Sequence, residues 1–309
     1  MMWKVLSGVF LGWSLGANDS ANIFGTGVAT GVVRYRTAII LTSVFLFIGA
    51  ILEGPKCMKT VSEVSRLIPI EAFCCTLAAA ITMTILTLIA VPASASQAII
   101  GTVIGAGMLS GTADFSKLYK IISCWVFTPV SGIFFGYVLH RFSGYLLNKT
   151  VLNITHRNML YFIGILVSGC YGAYSLGANN VANVTGVYVG SGILSAEAAA
   201  LIGGLSIVSG VLTYSKKVMM TVGKGIVPLD PFSAFVVVLT GALTLHIFTQ
   251  IGVPVSSSQA VVGAVVGVGI VGDLQTISPK MLMKIAGGWI MTPVSACIFT
   301  CLLVSVINF

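Results

Sequence analysis

Two short polar sequences in an otherwise apolar chain carry the residue types that bind small ions. The first runs Gly-Ala-Asn-Asp-Ser-Ala-Asn over residues 16–22, and its amide and carboxylate oxygens are hard ligands that suit Na⁺ or a proton rather than a soft metal. The second runs Val-Pro-Ala-Ser-Ala-Ser-Gln over residues 91–97. Proline disfavours helix before it, and serine is a strong N-cap. A helix starting there presents free N–H groups and a positive dipole end to an anion.

Both polar sequences occur twice in the chain. The first recurs as Gly-Ala-Asn-Asn-Val-Ala-Asn over residues 177–183, and the second recurs as Val-Pro-Val-Ser-Ser-Ser-Gln over residues 253–259. A third motif, Trp-x-x-Thr-Pro-Val-Ser, begins at Trp125 and again at Trp289. The order and the separation of the copies are nearly constant, which indicates two homologous halves, residues 1–139 and 158–309, joined by a polar linker over residues 140–157.

The elements that must position these motifs are membrane helices. Charged residues make up 8% of the chain and the mean hydropathy is +1.04, whereas a soluble domain carries about 25% charged residues. Several apolar runs approach the roughly 20 residues that a crossing needs: Thr37–Leu52, Glu71–Val91, Ile121–Leu139, Tyr161–Leu176 and Pro231–Val253. The sequence therefore predicts an all-α, multi-pass protein of the cell membrane. A secretory signal over residues 1–15 is disfavoured, because no small-residue cleavage site follows.

The positive net charge of +8 does not indicate a nucleic-acid partner. Basic pairs such as Arg34 with Arg36 and Lys216 with Lys217 lie between apolar runs, as juxtamembrane loops that face anionic lipid do. No aromatic-interleaved basic patch is present.

The motifs interrupt apolar sequence, which predicts broken helices. The segment 98–112 is short for a crossing, so each serine motif is expected at the tip of a re-entrant helical hairpin, and two tips could meet around one anion. Duplicated halves of transporters are often inverted in the membrane, with the substrate between them. Thr128 and Thr292 precede the prolines of the third motif, where they mark either a structural kink or a supporting position at the site.

Several other classes of protein are disfavoured. The scattered cysteines show no C-x-x-C spacing, so no zinc or redox site is predicted. An intramembrane aspartyl protease needs two carboxylates, and Asn180 stands where the second would be. No Gly-x-Ser-Gly tetrad or P-loop occurs. An anion channel is a further alternative, but the sequence contains no signature of a selectivity filter. Because a divalent anion at the midplane needs compensating charge, the residues favour a cation–anion symporter.

The paired Gly-Ala-Asn-Asp/Asn-x-Ala-Asn and Pro-x-Ser-x-Ser-Gln motifs resemble those of the PiT family of inorganic phosphate transporters, over essentially the whole chain. The resemblance implies a sodium- or proton-coupled phosphate symporter with an inverted repeat, and no enzymatic activity or organic cofactor. Some members of the family carry sulfate. A homodimer is implied by analogy alone.

Site residues follow from the resemblance position by position. It implies cation ligands at the six motif asparagines and aspartate: Asn18, Asp19, Asn22, Asn179, Asn180 and Asn183. It implies phosphate ligands at the hairpin serines, with the two glutamines placed in the same set although they could serve either ion: Ser94, Ser96, Ser256, Ser257, Ser258, Gln97 and Gln259.

This chain departs from the family at three places. Asn180 replaces a common Asp, and Ala95 replaces a common hydroxyl residue, so the two halves cannot contribute equally. A Glu that some members carry ahead of the second hairpin is absent from residues 235–238. Since fewer proton carriers remain, sodium is the expected coupling ion. A proton-coupled phosphate or sulfate permease is the alternative. Phosphate can donate a hydrogen bond and sulfate cannot, so Asp19 as an acceptor near the anion would favour phosphate.

Overall fold

A computed structural model describes residues 2–29, 31–64, 66–88, 93–151, 153–225, 229–272 and 279–307. These residues form a short 3₁₀ helix, Met2–Val5, and twelve α-helices, without a β-strand among them. The first six helices are α1 (Leu6–Asp19), α2 (Ala21–Ala29), α3 (Tyr35–Glu53), α4 (Pro55–Glu63), α5 (Pro69–Leu88) and α6 (Ala95–Ser110). The others are α7 (Phe115–Thr150), α8 (Ile154–Gly190), α9 (Ala196–Gly225), α10 (Pro231–Ile251), α11 (Ser257–Gly272) and α12 (Pro279–Ile307). The prediction of an all-α protein is confirmed.

Seven of the described helices are long and apolar enough to cross a membrane, namely α3, α5, α7, α8, α9, α10 and α12. Every predicted apolar run falls on one of them, although the run 71–91 ends in residues outside the described part. Large apolar side chains on α7, such as Phe127 and Phe134, are about 60% and 59% exposed. In so apolar a chain, such a surface is solvated by lipid. The protein is a multi-pass membrane protein, as predicted.

The first polar motif interrupts a helix in one half only. In the first half, α1 ends at Asp19, Ser20 forms a turn, and α2 starts at Ala21. In the second half, α8 runs unbroken through residues 177–183 to Gly190. The break expected at the second copy is therefore not observed. There, Nδ2 of Asn183 donates to Oδ1 of Asn180 at 2.8 Å, a bond between residues one turn apart that a continuous helix permits.

Two helical hairpins follow, α5 with α6 and α10 with α11, and the helices of each pair pack against one another. Both α6 and α11 contain 16 residues. At about 1.5 Å per residue they span roughly 24 Å, less than the hydrocarbon core of about 30 Å. Re-entrant hairpins require such short helices. Val91 and Pro92, where the first hairpin is expected to turn, lie outside the described residues.

The two halves pack against each other, and several of the contacts between them occur twice, the second time with the two halves exchanged. A Cβ added to Gly16 on α1 would lie 1.9 Å from the carbonyl oxygen of Ile207 on α9. A Cβ added to Gly177 on α8 would likewise lie 1.9 Å from the carbonyl oxygen of Leu46 on α3. These residues are equivalent in the two copies, so α1 packs on α9 as α8 packs on α3. Glycine is needed at both positions because the backbones touch.

The hairpins are exchanged in the same way. The short helix α6 packs on α12 of the other half, and α11 packs on α7. Gly101 meets the carbonyl oxygen of Pro293, and Gly263 meets that of Pro129, at 2.3 Å from the added Cβ in both cases. A two-fold relation between duplicated halves would produce this reciprocity. That the halves are inverted across the membrane stays a prediction.

The polar stretch between the halves is mostly helical. Helix α7 continues through residues 140–150, and α8 has already begun at Ile154, with Asn153 as its N-cap. The connection between the long helices is therefore residues 151–153, of which Leu152 lies outside the described part. The domain boundaries themselves stay a prediction.

Candidate functional site

Both hairpin tips place a serine at the start of the short helix. Ser94 is the N-cap of α6, and its Oγ accepts a hydrogen bond from the backbone N–H of Gln97 at 3.4 Å. Oγ of Ser256 accepts from the N–H of Gln259 at 3.3 Å in the equivalent position before α11. Each serine accepts with its oxygen in this bond, and Oγ of Ser256 also lies 2.9 Å from the hydroxyl of Ser258. The N–H groups of the first turn have no partner within the helix.

The tip of the second hairpin is bonded to the first polar motif. The hydroxyl of Ser257 donates to Oδ2 of Asp19 at 2.9 Å. Nδ2 of Asn22 donates to the same hydroxyl at 3.1 Å. Asp19 is 3% exposed, and none of the salt bridges among the described residues involves it. A buried carboxylate without a basic partner requires a cation or a proton.

The tip of the first hairpin is bonded to the second polar motif. Nδ2 of Asn183 donates to Oγ of Ser96 at 3.0 Å. The same hydroxyl donates to the carbonyl oxygen of Val255 at 2.7 Å. Since Val255 belongs to the second tip, the two tips meet directly, as the serine motifs predicted. Each tip is also bonded to the polar motif of the opposite half.

Asn179 holds the second hairpin through both of its polar side-chain atoms. Its Oδ1 accepts from the backbone N–H of Val255 at 2.9 Å. Its Nδ2 donates to Oγ1 of Thr249 at 3.0 Å and to the carbonyl oxygen of Val253 at 3.3 Å. These bonds satisfy the extended backbone between α10 and α11. Both polar side-chain atoms of Asn179, one of the predicted cation ligands, are therefore already hydrogen-bonded within the protein.

Several polar atoms at this junction are buried without a hydrogen-bond partner among the described residues. Three are amide oxygens, and one is an amide nitrogen: Gln97 Oε1, Gln259 Oε1, Asn183 Oδ1 and Asn180 Nδ2. Leaving a buried donor or acceptor unpaired costs about 1–3 kcal/mol. Unpaired buried atoms of both kinds, at hairpin tips that meet through Ser96 and Val255, are groups that a bound ion could pair.

The remaining predicted residues lie at the edge of this cluster. Asn18 and Asn22 are partly exposed in the first motif, and so is Ser258, whose Oγ lies 2.9 Å from Oγ of Ser256. Thr128 and Thr292 stand apart. Each hydroxyl donates to the carbonyl four residues earlier in its own helix, at 2.6 Å, an arrangement that often bends helices. This geometry favours the structural kink over a supporting position.

Sequence patterns alone did not single out two of the relevant residues. Thr249, a hydrogen-bond partner of Asn179, is one of them. Thr87 occupies the equivalent position in the first repeat, and this repetition could have identified Thr249. Glu71 is the other, a buried acid in the first turn of α5. It accepts from the backbone N–H of Ile68 at 2.9 Å and so caps the start of α5. Asp19 is thus one of two buried acids among the described residues.

Comparisons with known proteins agree with this architecture. The sulfate permease CysP of Bacillus subtilis is 29% identical over 97% of this chain and 86% of its own length. A putative phosphate permease of Methanocaldococcus jannaschii is 30% identical over 96% of this chain and 94% of its own. The solved structure of a sodium-dependent phosphate transporter shares the fold, with a TM-score of 0.86 at 22% identity over 99% of this chain and 98% of that one. The family profile described as the phosphate transporter family matches residues 15–300. The chain therefore belongs to the phosphate transporter family.

Proposed function

We propose that this protein is a secondary transporter that carries inorganic phosphate across the membrane together with Na⁺, by alternating access and without catalysing a chemical reaction. One observation carries the proposal. The two hairpin tips meet through Ser96 and Val255 while the second tip is bonded to the buried carboxylate of Asp19. A place for an anion and a place for a cation are thereby within one hydrogen-bonded cluster.

The cation place is supported by the charge and the ligand types of the first motif. Asp19 supplies a buried negative charge, and the neighbouring Asn22 and Ser257 supply neutral oxygens. Oxygen ligands around one carboxylate suit Na⁺. In this proposal the cation neutralises Asp19 and offsets part of the charge of the anion beside it.

The anion place is supported by the two helix starts. Helices α6 and α11 begin at equivalent serine tips, so their free N–H groups and serine hydroxyls can surround an oxyanion without Arg or Lys. The unpaired amide oxygens of Gln97 and Gln259 are acceptors. Monohydrogen phosphate can donate a hydrogen bond to an acceptor and sulfate cannot, so the unpaired oxygens favour phosphate.

Alternating access follows from how the site is closed. Serine hydroxyls hold each tip against the opposite half, and most of the cluster is buried. Release of one tip would expose the site on one side while the other tip keeps it closed on the other side. Loaded ions would pair the buried atoms and stabilise the closed arrangement, which couples the two ions.

The decisive experiment is uptake of radiolabelled phosphate into proteoliposomes that contain the purified protein. Uptake should require an inward sodium gradient, should fail with choline, and should persist in excess sulfate. Empty liposomes and the Asp19→Asn variant are the controls. Uptake that does not depend on sodium but follows a pH gradient would show that the coupling ion is a proton.

A second candidate is a sulfate permease. It is favoured by the similarity to sulfate permease CysP over nearly the whole chain. Labelled sulfate in the same vesicles distinguishes the two, since a sulfate carrier would accumulate sulfate and lose phosphate uptake in its presence.

A further inference from the structure

The two ion-binding halves of this chain are not equivalent, and the differences fall on residues that are bonded to one another. Ser257 donates to Asp19 in one half-site. By the alignment of the repeats, the counterparts of this bonded pair are Ala95 and Asn180. The second half-site thus has neither the carboxylate nor the hydroxyl that donates to it.

The hydrogen bonds at the second half-site differ from those at the first. Oδ1 of Asn180 accepts one hydrogen bond, from Nδ2 of Asn183 at 2.8 Å within α8. Its Nδ2 is buried and has no partner among the described residues, and the residue is 1% exposed. A cation cannot bind an N–H donor, whereas the oxygen of an anion accepts from one.

The backbone differs at the same place. Helix α1 ends at Asp19 and α2 begins at Ala21, whereas α8 is unbroken at Asn180. Ser20 between α1 and α2 keeps a helical backbone conformation, and its carbonyl oxygen accepts from the N–H of Ile23 at 3.2 Å, so the regular bonding to the N–H four residues on is interrupted at this turn alone. The buried charge of Asp19 therefore favours a cation in the first half-site. The second half-site has no carboxylate, and its unpaired acceptor, Oδ1 of Asn183, is neutral and can accept from a protonated oxyanion.

We infer that this chain binds one coupling cation, at the junction of Asp19, Asn22 and Ser257, and that the equivalent junction of Asn180, Asn183 and Ser96 serves the transported anion. Asn180 then donates to the oxyanion from its Nδ2. The inference rests on the proposed function and adds to it the number and the place of the coupling cations. It also follows that removal of the second carboxylate weakens the repulsion that a divalent anion would meet.

Equilibrium binding of radioactive sodium to the purified protein in detergent, at saturating phosphate, tests the cation count. The wild-type protein should bind one Na⁺ per chain and Asp19→Asn none. The double variant Ala95→Ser with Asn180→Asp should bind two, because it restores the missing pair. Two Na⁺ on the wild-type protein, one on Asp19→Asn, or one on the double variant would each overturn the inference.

Two further readouts keep the test independent of how well a variant folds. The ratio of labelled sodium to labelled phosphate entering wild-type proteoliposomes should be one, and a ratio of two overturns the inference. The single variant Asn180→Asp should raise the phosphate concentration for half-maximal uptake roughly tenfold or more, since a charged ligand loses a donor and gains a like charge. An unchanged value would show that Asn180 does not bind the anion. If the wild-type protein binds no sodium at all, the proposed sodium coupling itself is refuted, a result distinct from a count of two.

Discussion

The hydroxyl of Ser257 lies 2.9 Å from Oδ2 of Asp19, although the two residues belong to opposite halves of the chain. This bond connects the tip of the second hairpin to the carboxylate at the end of α1. The charge of the carboxylate and the position of the hairpin are therefore linked, because Ser257 donates to an acceptor whose strength depends on that charge. Such a link between ion binding and hairpin position is what a coupled transporter needs.

Asp19→Asn should abolish sodium-stimulated phosphate uptake and leave the protein folded. The amide keeps the shape and an acceptor for Ser257 but removes the buried negative charge that compensates a cation. Proteoliposome uptake with sodium and with choline measures the effect, and the melting temperature in detergent reports folding. Uptake at the wild-type rate with a normal sodium dependence would contradict the assignment of Asp19.

Ser258→Ala should weaken phosphate binding with little effect on stability. Ser258 is partly exposed, and its Oγ lies 2.9 Å from that of the N-cap Ser256. Loss of a hydrogen bond to a charged ligand costs about 1.5–3 kcal/mol, or roughly a tenfold or greater rise in half-saturating phosphate. A saturation curve for phosphate measures it, and Ser110→Ala, on the exposed end of α6, is the matched control. A curve identical to that of the wild-type protein would exclude Ser258 from the anion site.

Asn179→Ala should destabilise the protein more than it changes sodium affinity. Its side chain bonds to the backbone of Val253 and Val255 and to Thr249, so its loss leaves buried groups unpaired at about 1–3 kcal/mol each. We expect a lower melting temperature and a lower maximal uptake rate, with half-saturating sodium changed less than about threefold. A large rise in half-saturating sodium at unchanged stability would make Asn179 a direct cation ligand.

Gly263→Ala should disrupt the packing of the second hairpin on α7. A Cβ at this position would lie 2.3 Å from the carbonyl oxygen of Pro129, a backbone atom that can move only if the helices separate. Forced overpacking costs about 1–3 kcal/mol. The measurement is thermal unfolding in detergent. Gly287→Ala on α12 is the control, because its added Cβ meets nothing within 4 Å. Equal melting temperatures for the two variants would contradict the close contact.

The sequence by itself determined the class of the protein, its duplication and the residues that gather at the hairpin tips. Low charge and long apolar runs leave lipid as the only solvent for such a chain, and each predicted run lies on a helix where the structure describes it, apart from residues 252 and 253 after the end of α10. The serine motifs predicted the hairpin tips because N-capping is local chemistry, set by residues such as Ser94 within a single turn. Repetition of the polar motifs identified the residues that gather at the tips.

The tertiary structure alone decided which of these residues touch. Alignment of the repeats shows which residues are equivalent in the two halves. It does not show that the contacts are made between the halves, as those of Asp19 with Ser257 and of Asn183 with Ser96 are. The helix break at Ser20 and its absence at Asn180 were likewise undetermined, because both copies contain the same Gly-Ala-Asn pattern. Whether an amide bonds along its own helix or across to a hairpin depends on neighbours distant in sequence, and those neighbours are fixed only when the halves pack.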